Sequence, residues 1–393
     1  MRHSLDPANM FGAISRFSNN MLDAIEIGKN AELKPLAKPI HNIVLAGMGG
    51  SAIGGDVNRV LLKKQLSVPF VVSRHYILPN WVNENTLVIC SSYSGNTEET
   101  LASTDQAIAE GAQMVGISTG GKITEKLESI GKDVVKIPTG LQPRAALAFS
   151  FIPMLYILHK YGLINNNWES NLISSIPFLA SKTHEYNQEN DSNPAYEMAQ
   201  NIHTKIPIIY GESEWTSIIA LRYKGQFCEN AKMPAYHNEL PELNHNEIVG
   251  WEKNDHLFKD MVLLWLKDDD DHTRVKYRQS ISQSILNDLS IHQETIECKG
   301  ENRIERFLHM IHYGDWLSYW CAIAHGVDPS PVVKISKLKD EILNLNENQS
   351  STEPPEIFVD PIGCIIMNDP VTLPSSNIIL DRTIIIKHLL TTN

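Results

Sequence analysis

The chain has 393 residues, which at roughly 150 residues per domain allows two to three domains. Apolar residues make up 42% and charged residues 20%, enough for a sizeable core, and this excludes collagen-like, mucin-like and wholly disordered chains. With 34 Lys and Arg against 46 Asp and Glu, the net charge of -12 argues against non-specific nucleic-acid binding, which needs a basic face. The five cysteines (Cys90, Cys228, Cys298, Cys321, Cys364) are never closer than 23 positions (Cys298 to Cys321), so neither a CxxC motif nor a disulfide framework is present. Such sparse cysteines suit a reducing compartment. Met1 to Met10 holds no apolar core of a signal peptide, and no apolar run is long enough for a membrane span. Cytoplasm, with no membrane and no nucleic acid as partners, is the expectation.

Through the first 160 or so residues, short apolar runs alternate with helix-like stretches. Asn42–Ala46, Pro69–Ser73, Thr86–Cys90, Gln113–Ser118 and Asp133–Ile137 read as strands. They are β-branched and not strictly alternating, as expected of strands covered on both faces in a parallel sheet. Helical patterns over Asn96–Glu110 and Arg144–Tyr161 complete a doubly wound α/β domain, residues 1–162. Asn165–Asn193 reads as an interdomain helix and linker. A second α/β cycle, residues 163–343, has candidate strands Pro207–Tyr210, Lys232–Tyr236, Met261–Leu266 and Thr295–Cys298. Its helices are expected over Ser217–Cys228, Arg274–Leu289, Arg303–His325 and Pro331–Leu343. Residues 344–356 are polar with adjacent prolines and predict a flexible linker; an apolar, proline-punctuated tail, 357–393, follows.

Two loops carry the strongest chemistry. Gly47-Met48-Gly49-Gly50-Ser51-Ala52 follows a strand and opens a helix, where glycines admit an anion close to backbone N–H groups. A dinucleotide is disfavoured, because the second strand ends in Ser73-Arg74 where an acidic residue would be needed. Ser91-Ser92-Tyr93-Ser94-Gly95-Asn96-Thr97 also joins a strand to a helix. Ser92, Ser94 and Thr97 are expected to turn their hydroxyls to one point, a cradle for a monophosphate ester.

These loops resemble the sugar isomerase (SIS) domain, whose S-x-S-G-x-T segment holds a sugar phosphate. The resemblance extends, roughly over residues 10–343, to the bifunctional phosphoglucose/phosphomannose isomerase family. It is carried by Gly140–Ala146 (GLQPRAA), Glu229–Lys232 (ENAK), Glu242–Trp251 (ELNHNEIVGW), His312–Trp316 (HYGDW) and Gly326–Pro329 (GVDP). The resemblance implies two flavodoxin-like doubly wound subdomains, and an aldose–ketose isomerase interconverting glucose 6-phosphate and mannose 6-phosphate with fructose 6-phosphate. It implies a cis-enediol(ate) intermediate, with no metal and no cofactor. Glu229 would carry the proton between C2 and C1, His245 would open the ring, and Arg144 would stabilise the enediolate oxygens. Lys339, or Lys337 two positions before it, would contact the sugar during ring opening. Gly49, Gly50, Ser51, Ser92, Ser94 and Thr97 would bind substrate. His245 would serve the neighbouring active site of a homodimer. A catalytically silent sugar-phosphate sensor on the same fold is the alternative.

His237, Glu239, Glu242 and His245 could be drawn as a metal cluster, but they lack HExxH spacing. The run Asp268–Asp271 reads as a solvated turn. In the tail, Asp360-Pro361-Ile362, Met367–Val371, Leu373–Ser376 and Asp381–Leu390 resemble the first half of a U-box, Ile362 matching the residue that meets a ubiquitin-conjugating (E2) enzyme. Only about half of a U-box is spanned, so an incomplete, poorly ordered fragment without ligase activity, and no E2 partner, is expected.

Overall fold

The computed structural model describes residues 4–350 and the short segments 370–372 and 379–381. The chain falls into two units, Met1–Pro331 and Val332–Asn393. Two helices absent from the sequence reading open the first unit: α1 (Met10–Ser15) and α2 (Phe17–Asn30). Buried Asp6 starts α1 by accepting the N–H groups of Met10 and Phe11, both at 2.8 Å.

A parallel five-stranded sheet follows: β1 (Asn42–Ala46), β2 (Phe70–Ser73), β3 (Thr86–Ser91), β4 (Gln113–Ser118) and β5 (Asp133–Lys136), in the order β2-β1-β3-β4-β5. Helices α3 (Gly49–Leu61), α4 (Glu98–Ala109) and α5 (Gly121–Ser129) are interleaved with the strands. Every residue of β3 and β4 is buried, which is why these strands read as unbroken apolar runs. Register sets the site: Ala46 pairs with both Ser73 and Cys90, so the chain leaves β1, β2 and β3 along one edge. Gly47, Arg74 and Ser92 therefore emerge together. The crevice between β1 and β3, where strand order reverses, is where open α/β sheets take ligands.

Helices α6 (Leu147–Lys160), α7 (Asn167–Tyr186) and α8 (Pro194–Ile202) join the halves, with the predicted interdomain stretch turning out to be mostly α7. The second sheet is parallel as well, in the order β7-β6-β8-β9: β6 (Ile206–Glu212), β7 (Tyr236–Leu240), β8 (Met261–Lys267) and β9 (His292–Glu297). Its helices are α9 (Thr216–Gln226), the single turn α10 (Glu247–Gly250), α11 (Thr273–Leu286) and α12 (Arg303–Ala324). The expected strand Lys232–Tyr236 starts where β7 does not: Lys232 is left-handed (φ 59°) and Pro234 donates no N–H, so pairing begins only at Tyr236. Helices α6 and α12 are buried nearly all round and lie in one continuous core shared by the two halves.

Asp268 and Asp271 are not a solvated turn: they are 2% and 5% exposed. Arg306 donates to Asp268 at 3.1 Å, which makes burial of that carboxylate tolerable. Burial, with Glu212 beside it, pushes the Asp271 carboxyl well above the ordinary carboxylate range.

The second unit contains α13 (Val333–Ser350) and an antiparallel pair, β10 (Pro370–Thr372) with β11 (Ile379–Asp381). The helix expected to stop at Leu343 runs on to Ser350, because residues 344–350 contain neither Gly nor Pro; the paired prolines come only at Pro354 and Pro355. The rest of the U-box-like tail, Ile362 included, lies outside the described residues. Among the described residues, no helix is long and apolar enough to cross a membrane.

Candidate active site

The glycine loop and the hydroxyl loop meet at the carboxyl edge of the first sheet. Gly50, in the first turn of α3, has its backbone against the Pro143 carbonyl, which would lie 2.6 Å from any Cβ, so only glycine fits. Ser51 Oγ accepts the Tyr93 N–H at 3.2 Å and ties the two loops. Ser92 and Thr97 bring their hydroxyls to 2.9 Å, and Ser92 Oγ also accepts from Gly95 N at 3.1 Å. Ser94 is exposed and accepts from Asn96 N at 3.3 Å, so two of the three predicted hydroxyls converge and the third lies on the rim. Thr97 starts α4 without a side-chain cap, which leaves first-turn N–H groups at the cradle. The Tyr93 hydroxyl donates to Pro138 O at 2.9 Å and accepts from Leu141 N at 3.0 Å, linking the cradle to the segment that bears Arg144.

Arg144 sits on a 3-10 turn, Pro143–Ala145, ahead of α6, and is 4% exposed. Its partners come from the second half of the chain. Nε donates to Asn230 Oδ1 at 2.6 Å, one terminal nitrogen donates to the carbonyls of Pro329 (2.7 Å) and Ser330 (2.8 Å), and the other reaches Glu229 Oε2 at 3.3 Å. Asn230 is steadied in turn by donating to Ser318 Oγ at 3.0 Å. Beneath it, Arg222 donates to both oxygens of buried Asp315 and, at 2.9 Å, to the Arg144 carbonyl. Burial lowers the Arg144 pKa and Glu229 opposes that shift. Glu229 lies on a π-helical turn, Phe227–Ala231, that continues α9; such turns recur at functional sites.

Gly49, Gly50, Arg74, Arg144, Lys224 and Glu229 all border one cavity of about 280 Å³, near the lower end of the usual range for small-molecule sites. Two larger hollows, of about 520 and 430 Å³, lie along α11 and beside α8 and β9. Chemistry decides between them: the smaller one joins a carboxylate, an arginine and the glycine loop. His245 is exposed, on the 3-10 turn Glu242–His245, and does not border this cavity. Lys337 and Lys339 belong to α13 in the second unit. Among the described residues, no three His, Cys, Asp or Glu side chains converge as metal ligands.

Sequence reasoning missed Arg74 and Lys224. Arg74 had left a trace, as the cation standing where a dinucleotide fold needs an acid. It lies one residue beyond β2, in an ion pair with buried Asp56 of α3.

An anion cradle beside a carboxylate–guanidinium pair suits a phosphorylated sugar on which a proton must move, and the architecture is that of the SIS-type phosphosugar isomerases. The C-terminal domain of glucosamine-fructose-6-phosphate aminotransferase from Francisella tularensis shares the fold, with a TM-score of 0.60 at 14% identity over 82% of this chain and 98% of that one. The family described as "Bacterial phospho-glucose isomerase C-terminal SIS domain" matches residues 191–342. Within that class, the chain belongs to the bifunctional phosphoglucose/phosphomannose isomerase family. It is 41% identical to the member from Caldicellulosiruptor bescii over 340 residues, covering 86% of this chain and 100% of that protein. To the member from Aquifex aeolicus it is 36% identical over 305 residues, 77% of this chain and 91% of that protein. Residues 354–393 match a separate family, described as "U-box domain".

Proposed function

We propose that this enzyme interconverts glucose 6-phosphate and mannose 6-phosphate with fructose 6-phosphate through a cis-enediol(ate), in the cytoplasm and without metal or cofactor. The observation that carries the reading is the Arg144–Glu229 pair bordering the same cavity as the glycine loop. The phosphate rests on the hydroxyls of Ser92, Ser94 and Thr97 and on the backbone around Gly49, Gly50 and Ser51. Glu229 engages Arg144 through Oε2 alone, so Oε1 is the oxygen left to take the C2 proton and return it at C1. As that proton leaves, negative charge grows on the sugar oxygens, and the fixed Arg144 guanidinium lowers its cost. Return of the proton to either face of C2 yields the glucose or the mannose epimer.

Ring opening needs a group that exchanges a proton with the ring oxygen. His245 takes that role; exposed and outside the cavity of its own chain, it serves the site of a second copy, hence a homodimer. The test is isomerisation of both aldose phosphates in EDTA, with the natural protein and Glu229→Gln. Expected are both activities in the former, a loss of roughly 10²–10⁴-fold in the variant, and fructose 6-phosphate binding kept. A folded natural protein that binds fructose 6-phosphate without turnover would overturn the isomerase reading in favour of a sensor.

A further inference from the structure

We propose that Arg74, aimed by Asp56, is the cation that grips the phosphoryl group of the substrate; this rests on the sugar-phosphate reading above. The cradle formed by Ser92, Ser94 and Thr97 is electrically neutral, and α4 carries Glu98 and Glu99 in its first turn. A phosphate dianion settling there needs a positive charge from elsewhere. Arg144 is poorly placed to supply it. Nε is committed to Asn230, one terminal nitrogen to two carbonyls and the other to Glu229, so little of its donor fork is free. Arg222, which also borders the cavity, is only 4% exposed and has Nε and one terminal nitrogen bound to Asp315 and the Arg144 carbonyl.

Arg74 differs in each respect. Of its nitrogens only one is engaged, by Asp56, and its side chain is 35% exposed where that of Asp56 is 6% exposed. A buried carboxylate thus holds one nitrogen of a guanidinium that borders the cavity. Strand register supplies the placement. Arg74 leaves β2 level with Gly47 leaving β1, and β3, which leads into the cradle, is the next strand over. Two strand spacings of about 4.8 Å separate β2 from β3, a gap that an arginine side chain helps to bridge. Lys224 also borders the cavity, but on a flexible stem, whereas the anchored planar fork of arginine matches a phosphate bidentately.

Asp56 is then a positioning residue, acting through Arg74. The experiment measures Kd for fructose 6-phosphate and for inorganic phosphate, with KM and kcat, in the natural protein, Arg74→Gln, Arg74→Lys, Asp56→Asn and the double variant Asp56→Asn/Arg74→Gln. Arg74→Gln is expected to raise both Kd values and KM about tenfold or more while kcat stays within about threefold, and Arg74→Lys to recover part of the loss. Asp56→Asn should shift KM in the same direction by less, and the double variant should be no worse than Arg74→Gln alone, the non-additivity of one unit. Unchanged Kd values in a folded Arg74→Gln, or a fall in kcat at constant Kd, would overturn the assignment. Failure of the natural protein to bind either ligand would overturn the sugar-phosphate reading together with it.

Discussion

Each N–H of a buried guanidinium has to end on an acceptor, and Arg144 shows how completely that requirement can use a side chain. Asn230 and the Pro329 and Ser330 carbonyls hold the plane, so the edge toward Glu229 is presented in one orientation. Two buried histidines show the opposite outcome, a ring kept neutral. His309 bonds the Tyr186 hydroxyl at 2.7 Å and accepts from Lys299 N at 3.2 Å; His312 accepts from Trp316 Nε1 at 3.1 Å. Burial pushes both imidazoles down to about 3. Unfolded, they take protons near pH 6.5, so between about 6.5 and 3 the unfolded chain holds more protons than the folded one. Their contribution to stability is whole above pH 6.5 and drains away as pH falls toward 3. Asp271 works in the other sense, keeping its proton longer when folded, so stability declines as pH climbs above the ordinary carboxylate range. Two histidines outweigh one carboxyl below pH 6.5. The urea midpoint should therefore drop from pH 6.5 to pH 5, and His309→Gln should flatten the drop. A midpoint indifferent to pH in that range would refute the account.

Among the elements, the hydroxyl loop is the one whose backbone is most tightly specified. Gly95 has φ +69°, and a Cβ there would lie 1.7 Å from the Gly120 carbonyl oxygen. Gly111 has nearly the same φ, +68°, with nothing within 4 Å. Alanine at Gly111 should cost about 1 kcal/mol for the left-handed backbone alone, whereas Gly95→Ala should cost at least about 2–3 kcal/mol and weaken fructose 6-phosphate binding. Urea unfolding of the two variants checks this, and equal losses would contradict it. The strands of the first sheet were legible in the sequence because burial on both faces leaves a continuous apolar run. Strand β7 was not, since the left-handed Lys232 and the need of a pairing N–H are properties of backbone geometry. The two loops were legible as motifs because glycine and hydroxyl residues cluster locally. What escaped was long-range: Arg74 beside Asp56, Asn230 against Ser318, and the carbonyls of Pro329 and Ser330 on Arg144 join residues far apart in the chain.

At the scale of the molecule, the first sheet supplies the glycine and hydroxyl loops, and the second half supplies Glu229 and the partners of Arg144. The continuous core through α6 and α12 keeps those contributions in register. A dianion approaching this protein meets two fields of opposite sign. At a distance it is repelled by a chain of net charge -12, and at the cavity it meets Arg74 and Lys224. Salt acts differently on the two. At about 0.1 M the Debye length is about 10 Å, short enough to erase the distant repulsion and long enough to leave contacts at the cavity wall in force. Capture of a sugar phosphate should therefore quicken as salt rises from a few millimolar to about 0.1 M, the reverse of an electrostatically steered encounter. Stopped-flow association rates that fall over that range would show that the local field already governs the approach. A protein so acidic admits its anionic substrate fastest when the surrounding ions hide most of its own charge.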